Sequence, residues 1–415
     1  MYMNTTRKAY VAFFIYAVLI TVYFALQPYD VPAHLIGTPA DPRTFLTPQE
    51  LDEAQHSLWI RESYAFIYPA LQCLLLILIY QSGMIHKLTE KLSKVHKSKN
   101  AVRFVSFLSA YLLYKILLLP VRFCYYLYRS HLGLTEQPFL SWLSDRLLDI
   151  GVGVFTEFLV VLVIWSFIRR FKQRWWIFLW CVSIPVIFLF VYVKPVLIDP
   201  LYNQYTPIQN QALKAKILRF AQTAGVPAQD VYEADVSKQT TTINAYVTGI
   251  GSSLRIVLWD TTLKKLNDDE IIAIVAHEMG HYQLHHVMRG TVYAVLGAFA
   301  FFAVTAWVWR VYRKRKTEDG PDDFAALLAI LLLLLFLSNP FTSRLSYGIE
   351  KEADDYAASL VHNPAASITL HQKLAKYDKA VVSEPWLSRL FYGTHPTIQQ
   401  RIEEDMQQLG TSPGG

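Results

Sequence analysis

The densest chemistry in the sequence lies in Asn267–His286, NDDEIIAIVAHEMGHYQLHH, which contains His277-Glu278-x-x-His281. On a helix, residues four apart stand one above the other on the same face. Two imidazoles are then presented side by side, with a carboxylate next to the first. That pattern suits a zinc ion held by His277 and His281, with Glu278 as the general base of a hydrolysis. The competing reading is two surface histidines that match a five-residue pattern by chance.

The flanking residues predict the helix without help from the motif. Asn267 is a good N-cap, and Glu270 stands at the capping-box spacing from it. Leu266 and Ile271 occupy the positions of a hydrophobic staple. Asp268, Asp269 and Glu270 load the first turn with negative charge, which the helix dipole favours. Ile271, Ile272, Ile274 and Val275 supply an apolar face.

A catalytic zinc usually takes three protein ligands and keeps one position open. The third ligand should come from another element, and the best candidate segment is Glu350-Lys-Glu352-Ala-Asp354-Asp355. Glu350 and Asp354 share a helix face and Glu352 points away from both. Glu350 would be the ligand. Asp354 would accept the free ring N–H of one zinc histidine and fix its tautomer. By spacing alone, a solvated acidic stripe explains these residues equally well. His285 lies eight residues from His277, about 12 Å along a helix axis, too far to share one ion with it. His286 is set aside with it. His34, His56, His86, His96, His131, His362 and His371 have no partner pattern and read as surface residues.

The rest of the chain must position these groups, and its composition says where. Of 415 residues, 53% are hydrophobic and only 17% charged. Soluble domains carry about a quarter charged residues. Long apolar runs imply a membrane protein in contact with a lipid bilayer. The net charge of +6 fits basic loops beside membrane spans better than nucleic-acid binding, so no nucleic-acid partner is expected. Cys73, Cys124 and Cys181 are far apart inside apolar runs and support neither a disulfide framework nor a thiolate zinc site.

Seven spans are expected: Tyr10–Leu26, Tyr64–Tyr80, Ala101–Leu127, Leu148–Ile168, Trp175–Val193, Gly290–Trp309 and Phe324–Leu337. The first follows Arg7 and Lys8 and reads as a retained span rather than a cleaved signal. Residues 27–62 read as a Pro-rich loop and 310–323 as a basic turn. Lys115, Arg122 and Glu157 fall inside spans, where charges usually face a bundle interior or a watery cavity; snorkelling near a span end is the other reading. Residues 194–288 change to soluble character. Thr206–Ala224 reads as an amphipathic helix, and Val231–Ala234, Asn244–Val247 and Leu254–Trp259 read as strands.

The expected fold is therefore mainly α. It is a seven-transmembrane helical bundle with an α+β domain split between the loop after span five and the C-terminal region. Residues 1–193 form a membrane domain of spans one to five. Residues 194–415 form the catalytic domain, including the spans at 290–309 and 324–340. Most loop Lys and Arg fall on one side, which the positive-inside rule makes cytoplasmic.

His277-Glu-x-x-His281 followed by Glu350-x-x-Ala353-Asp354 resembles the M48 metallopeptidases. Several stretches resemble the Ste24 / CAAX prenyl protease 1 branch of that family: Pro200-Leu-Tyr-Asn-Gln-Tyr-Thr-Pro207, Asn244-Ala-Tyr-Val-Thr-Gly249, Arg255-Ile-Val-Leu-Trp-Asp-Thr261, and His395-Pro396 with Arg401. The resemblance runs in order over roughly 195–401 and is closer to bacterial members, which places the chain in a bacterial cell membrane. Eukaryotic prenyl proteases have His-Ser before the Asn-Ala pair, where this chain has Thr242-Ile243.

The resemblance implies an integral-membrane, gluzincin-like zinc endopeptidase whose spans enclose a large chamber. It implies His277, His281 and Glu350 as ligands of one zinc ion, Glu278 as catalytic base and Asp354 as support behind a ligand. It further implies His395 as an oxyanion stabiliser and Asn244 and Ala245 as an edge strand that pairs with substrate backbone. The substrate would be a peptide or a membrane protein. The activity would serve membrane-protein quality control or CAAX-box-type processing. A transporter would explain the spans but not this motif on a soluble insert. A catalytically silent zinc scaffold would normally need four protein ligands.

Overall fold

The computed structural model describes residues 2–27, 31–197, 203–249, 254–314 and 323–410. The basic turn expected at 310–323 falls outside the described residues over 315–322, as do 200–202 of the Pro200–Pro207 stretch. Among the described residues, six helical segments are long and apolar enough to cross a bilayer: Arg7–Ala25, Pro48–Gln81, Lys99–His131, Phe139–Tyr192, His286–Arg313 and Asp323–Leu360. They belong to helices α1 (Tyr2–Ala25), α2 (Pro48–Gln81), α4 (Lys99–His131), α5 to α7, α11 (His286–Arg313) and α12 (Asp323–Leu360). A short basic helix, α3 (Met84–Val95), joins α2 to α4.

The fourth segment runs for 54 residues and takes in most of both spans expected at Leu148–Ile168 and Trp175–Val193. It is not one rod. α5 (Phe139–Gly153) passes through a π turn at Val154–Phe158 into α6 (Leu159–Phe171). A 3-10 turn at Lys172–Arg174, entered with a positive φ of 48° at Lys172, then starts α7 (Trp175–Leu197). α6 and α7 pack on each other across that break, with the Phe171 and Phe178 rings 4.4 Å apart. The bundle core buries Leu76, Phe107, Tyr111, Leu118, Phe158, Trp309, Phe324 and Leu327.

One expectation fails at 27–62. Much of that stretch is helical, because α2 begins at Pro48 and continues unbroken into the second span. The start is written in Thr47-Pro-Gln-Glu50, a capping box with Pro at the first helical position, where proline is tolerated. The polar stem packs Ala54 and Leu58 against Val381 and pairs Glu50 with Lys376 at 2.9 Å. It thus ties the membrane bundle to the C-terminal region.

A four-stranded sheet follows the fifth expected span. Its strands are β1 (Tyr205–Pro207), β2 (Asp230–Ala234), β3 (Ala245–Thr248) and β4 (Arg255–Trp259), in the order β1-β2-β4-β3. β2 and β4 are parallel, and β3 runs antiparallel to β4 with Ala245 opposite Leu258. The helix expected over Thr206–Ala224 is shorter. Tyr205–Pro207 pairs as a strand, and α8 (Gln211–Thr223) starts at the Asn210 cap.

Two elements place the motif. A short helix, α9 (Asp260–Lys265), leads from β4 into α10 (Asp268–Gln283), which lies against the sheet with Ile271, Val275, Ala276 and Met279 buried. α12 is one helix of 38 residues that continues through Pro340 and brings residues 350–354 alongside α10. α13 (Pro364–Tyr377), α14 (Trp386–Tyr392) and α15 (Ile398–Gln408) complete the C-terminal region.

Candidate metal centre

α10 starts as its sequence dictates. The Asn267 side chain accepts from the Asp269 and Glu270 amides at 3.0 Å, and the Glu270 carboxylate accepts the Asn267 amide in return. About three turns on, Gly280 faces Ala353 of α12. A Cβ at Gly280 would stand 3.2 Å from the Ala353 Cα and carbonyl oxygen and from the Tyr356 ring. The small pair therefore lets two backbones approach closely. That approach carries Glu350, one turn before Ala353, to the two motif histidines.

His277 Nε2 and His281 Nε2 are 3.2 Å apart. Glu350 Oε2 lies 3.2 Å from the first and 3.3 Å from the second. Ligands 2.0–2.1 Å from a tetrahedral zinc are separated by about 3.3 Å, so this triangle has the dimensions of one face of a zinc site. The chemistry of the donors agrees, because Glu350 Oε2 is buried without a hydrogen bond while ring nitrogens crowd it. A cation satisfies all of them at once. His277, Glu278 and His281 also have their ligand atoms within 4.8 Å of one another, as do His277, Glu350 and His395.

The two motif histidines are held from behind by different partners. His277 Nδ1 lies 2.8 Å from Asp354 Oδ1, and the other oxygen of Asp354 accepts from Arg401 Nε at 2.8 Å. His281 Nδ1 lies 3.0 Å from Nδ1 of His286, whose Nε2 is 3.3 Å from Glu352. Arg289 closes that chain on Glu352. Burial opposes charge on the metal-free His277 ring, but the Asp354 and Glu350 carboxylates outweigh it and push its pKa up to about 9. Burial raises the pKa of Glu278 above the usual carboxylate range.

His395 precedes α15. Its Nε2 lies 3.0 Å from Glu350 Oε2, its Nδ1 lies 2.8 Å from the Thr394 hydroxyl, and its side chain is 48% exposed. A cleft of about 630 Å³ is lined by Asn244, His277, Glu278, Asp354, His395 and Arg401. An adjoining cleft of about 910 Å³ shares His395 and is walled by Phe341, Leu345, Trp386 and Leu390. β3 is an edge strand. The Ala245 amide donates to the Asn244 side-chain oxygen at 2.8 Å, whereas the Asn244 carbonyl accepts from Trp259 of β4.

The structure thus brings His277, Glu278, His281, Glu350, Asp354, His395 and Asn244 to one place, with the adjacent Ala245 on the edge strand. Sequence reasoning passed over His286 and Glu352, which face each other from different helices. His371, read as a surface residue, is instead mostly buried beside Asp405 at 3.2 Å. Nothing local signals these contacts. Gly280 and Ala353 were readable as small residues inside helices, a sign of close helix approach.

Residues 207–406 match the model of peptidase family M48, and residues 31–204 match that of the CAAX prenyl protease N-terminal region with five membrane helices. An uncharacterized metalloprotease of Bacillus subtilis is 34% identical over 402 residues, 94% of each chain. CAAX prenyl protease 1 of Saccharomyces cerevisiae is 28% identical over 267 residues, 58% of each chain. The crystal structure of S. mikatae Ste24p has the same fold, with a TM-score of 0.76 and 19% identity over 97% of this chain and 98% of that one.

Proposed function

The chain belongs to peptidase family M48 and is a multi-pass membrane metalloprotease of the Ste24 type that hydrolyses peptide bonds, and from that premise we propose how its residues divide the work. His277 Nε2, His281 Nε2 and Glu350 Oε2 hold one zinc ion per chain. The observation that carries this is the triangle of 3.2 to 3.3 Å between those three atoms. Zinc bound there supplies Lewis acidity to the scissile carbonyl and to water.

The chain's own groups do the rest. Glu278 accepts a proton from the attacking water and delivers it to the leaving amine, and its raised pKa suits both directions. His395 is exposed to the cleft with Nδ1 at the Thr394 hydroxyl, so its Nε2, 3.0 Å from Glu350 Oε2 on the metal side, is the nitrogen placed to turn and donate to the developing oxyanion. Asp354, anchored by Arg401, holds the His277 ring so that Nε2 faces the metal. The outer edge at Ala245, with the Asn244 side chain beside it, binds substrate backbone as an added strand.

The substrate is a peptide or an unfolded membrane-protein segment. The apolar walls of the second cleft, which shares His395, support side chains of that kind. The long segment Phe139–Tyr192 counts as two spans, which makes seven around an inner chamber. The catalytic domain begins near residue 194, and the basic loops face the cytoplasm of a bacterial cell.

Metal analysis and cleavage of a quenched peptide test this together. Purified protein should contain one zinc per chain, lose cleavage on chelation and regain it when zinc is returned. Zinc-free protein that cleaves peptides at the full rate would sink the proposal.

A further inference from the structure

We propose that His286 is a positioning residue for the metal centre: it accepts the Nδ1 proton of His281 and, through Glu352 and Arg289, fixes that ring with Nε2 toward the metal. The inference rests on the zinc reading of the centre and adds a residue to it. His281 presents Nε2 to the site, since that atom is the one near His277 Nε2 and Glu350. A neutral imidazole that gives up one nitrogen to a metal carries its proton on the other. The Nδ1–H of His281 then points at His286 Nδ1, 3.0 Å away. His286 must accept, so its own proton sits on Nε2, which faces the Glu352 carboxylate at 3.3 Å. Arg289 pairs with that carboxylate, with Nη2 donating to Oε1 at 3.1 Å. Each donor therefore meets an acceptor along the chain His281, His286, Glu352, Arg289.

The backbone is bent to make this contact. The preceding residue, His285, takes a left-handed conformation with φ 54°, which non-glycine residues seldom adopt. That residue separates α10 from α11, so the chain turns and His286 comes back beside His281 rather than following the helix outward. The His286 side chain is 3% exposed. A buried imidazole needs partners for both ring nitrogens, and here the partners lead from the metal side to a half-exposed carboxylate.

The test uses the full-length protein in detergent, with Zn²⁺ itself as the probe and a competing chelator as the reporter. His286→Ala should raise the zinc Kd about 10–100-fold, the usual consequence of removing a partner behind a metal ligand. His286→Gln should stay close to wild type, because its amide oxygen can accept from His281 while its amide nitrogen donates to Glu352. Glu352→Ala should shift the Kd in the same direction by less. Among zinc-loaded proteins, kcat should fall in H286A while KM holds. An unchanged zinc Kd in H286A overturns the proposal. So does an H286Q that loses as much affinity as H286A, since packing alone would then explain both. If H286A does not fold, a wild-type zinc Kd in E352A overturns it instead. Wild-type protein that binds no zinc would refute the centre, and this inference with it. Normal zinc binding in every variant would refute this inference alone.

Discussion

Two of the clusters in which the molecule buries charge are built in opposite ways. In the membrane bundle, Lys115 of α4 is 6% exposed and meets Glu157 of the π turn at 2.6 Å. Tyr111 donates to the same carboxylate at 3.0 Å. Gly153 makes room there, since a Cβ would stand 2.6 Å from the Tyr111 hydroxyl. Opposite charges cancel, and Arg122 Nε donates to the neutral Tyr68 hydroxyl at 2.7 Å. In the catalytic half, two ring nitrogens and a carboxylate oxygen that all have lone pairs to offer converge on one point. A cluster that closes on itself needs nothing further. A cluster of acceptors facing acceptors needs a cation, either a metal ion or the proton that the raised pKa of His277 favours. Burial and charge alone do not mark a site; the absence of internal compensation does.

The contrast is sharpest where a single carboxylate is removed. Glu278→Ala should lower peptide cleavage about 10²–10⁴-fold while zinc content stays at the wild-type level. Glu350→Ala should abolish both activity and stoichiometric zinc, because it removes a proposed ligand. Metal analysis beside a cleavage assay separates the two. If Glu350→Ala kept its zinc, His395 would be the replacement donor to examine, since its Nε2 already lies 3.0 Å from Glu350 Oε2.

In the bundle the same operation should behave differently. Glu157→Ala leaves Lys115 buried without its partner and should destabilise the protein by about 1–3 kcal/mol, less than a fully buried pair because Glu157 is half-exposed. The double variant Lys115→Met with Glu157→Met should recover most of that loss, as apolar replacements of ion pairs often do. Thermal unfolding in detergent measures both, and cleavage should follow stability. A double variant that is stable but inactive would break the comparison and make the bundle cluster functional.

Helix approach gives a smaller effect that links packing to the centre. Gly280→Ala should force α12 away from α10 by a few tenths of an ångström, at about 1–3 kcal/mol. Zinc affinity should fall more than unfolding temperature does, because Glu350 sits one turn from the contact. Equal metal affinity in this variant would mean that α12 can slide without moving Glu350.

What the sequence made legible follows from the same division. α10 could be read outright, since its capping box, acidic first turn and apolar face are all local. The histidine pair came with it. Glu350 and Asp354 were visible as a pair on one face, but spacing could not distinguish a ligand from a solvated stripe; the family resemblance favoured the ligand. The partners behind the ligands were the hardest part. His286 reaches His281 through a left-handed residue that no periodicity predicts, and Glu352, on a different face from Glu350 and Asp354, meets His286. The start of α2 was misjudged for a different reason. Its first turns are polar, and their partners Lys376 and Lys379 lie more than three hundred residues further along the chain. Local patterns reveal elements, whereas compensation between charges is a property of pairs that only the fold brings together.

Asp378 tests that last statement at the smallest scale. It follows α13, with no cation within ion-pair distance among the described residues, and accepts only a long 3.4 Å bond from the Ile243 amide. It has neither a counter-ion, like Glu157, nor a place in the proposed metal centre, like Glu350. Burial therefore decides its state and pushes its pKa up to about 6. The sign follows directly. A carboxyl whose pKa is raised on folding contributes stability that is fully present below its unfolded pKa and is lost as pH rises through the folded one. For Asp378 that window runs from about pH 4 to about 6, and the loss is at most ~3 kcal/mol. Asp378→Asn mimics the protonated acid and should remove the loss. The variant should match wild type near pH 4 and exceed it in unfolding temperature at pH 7. If the difference has the opposite sign, a cation compensates Asp378, and it belongs with the paired cluster of the bundle.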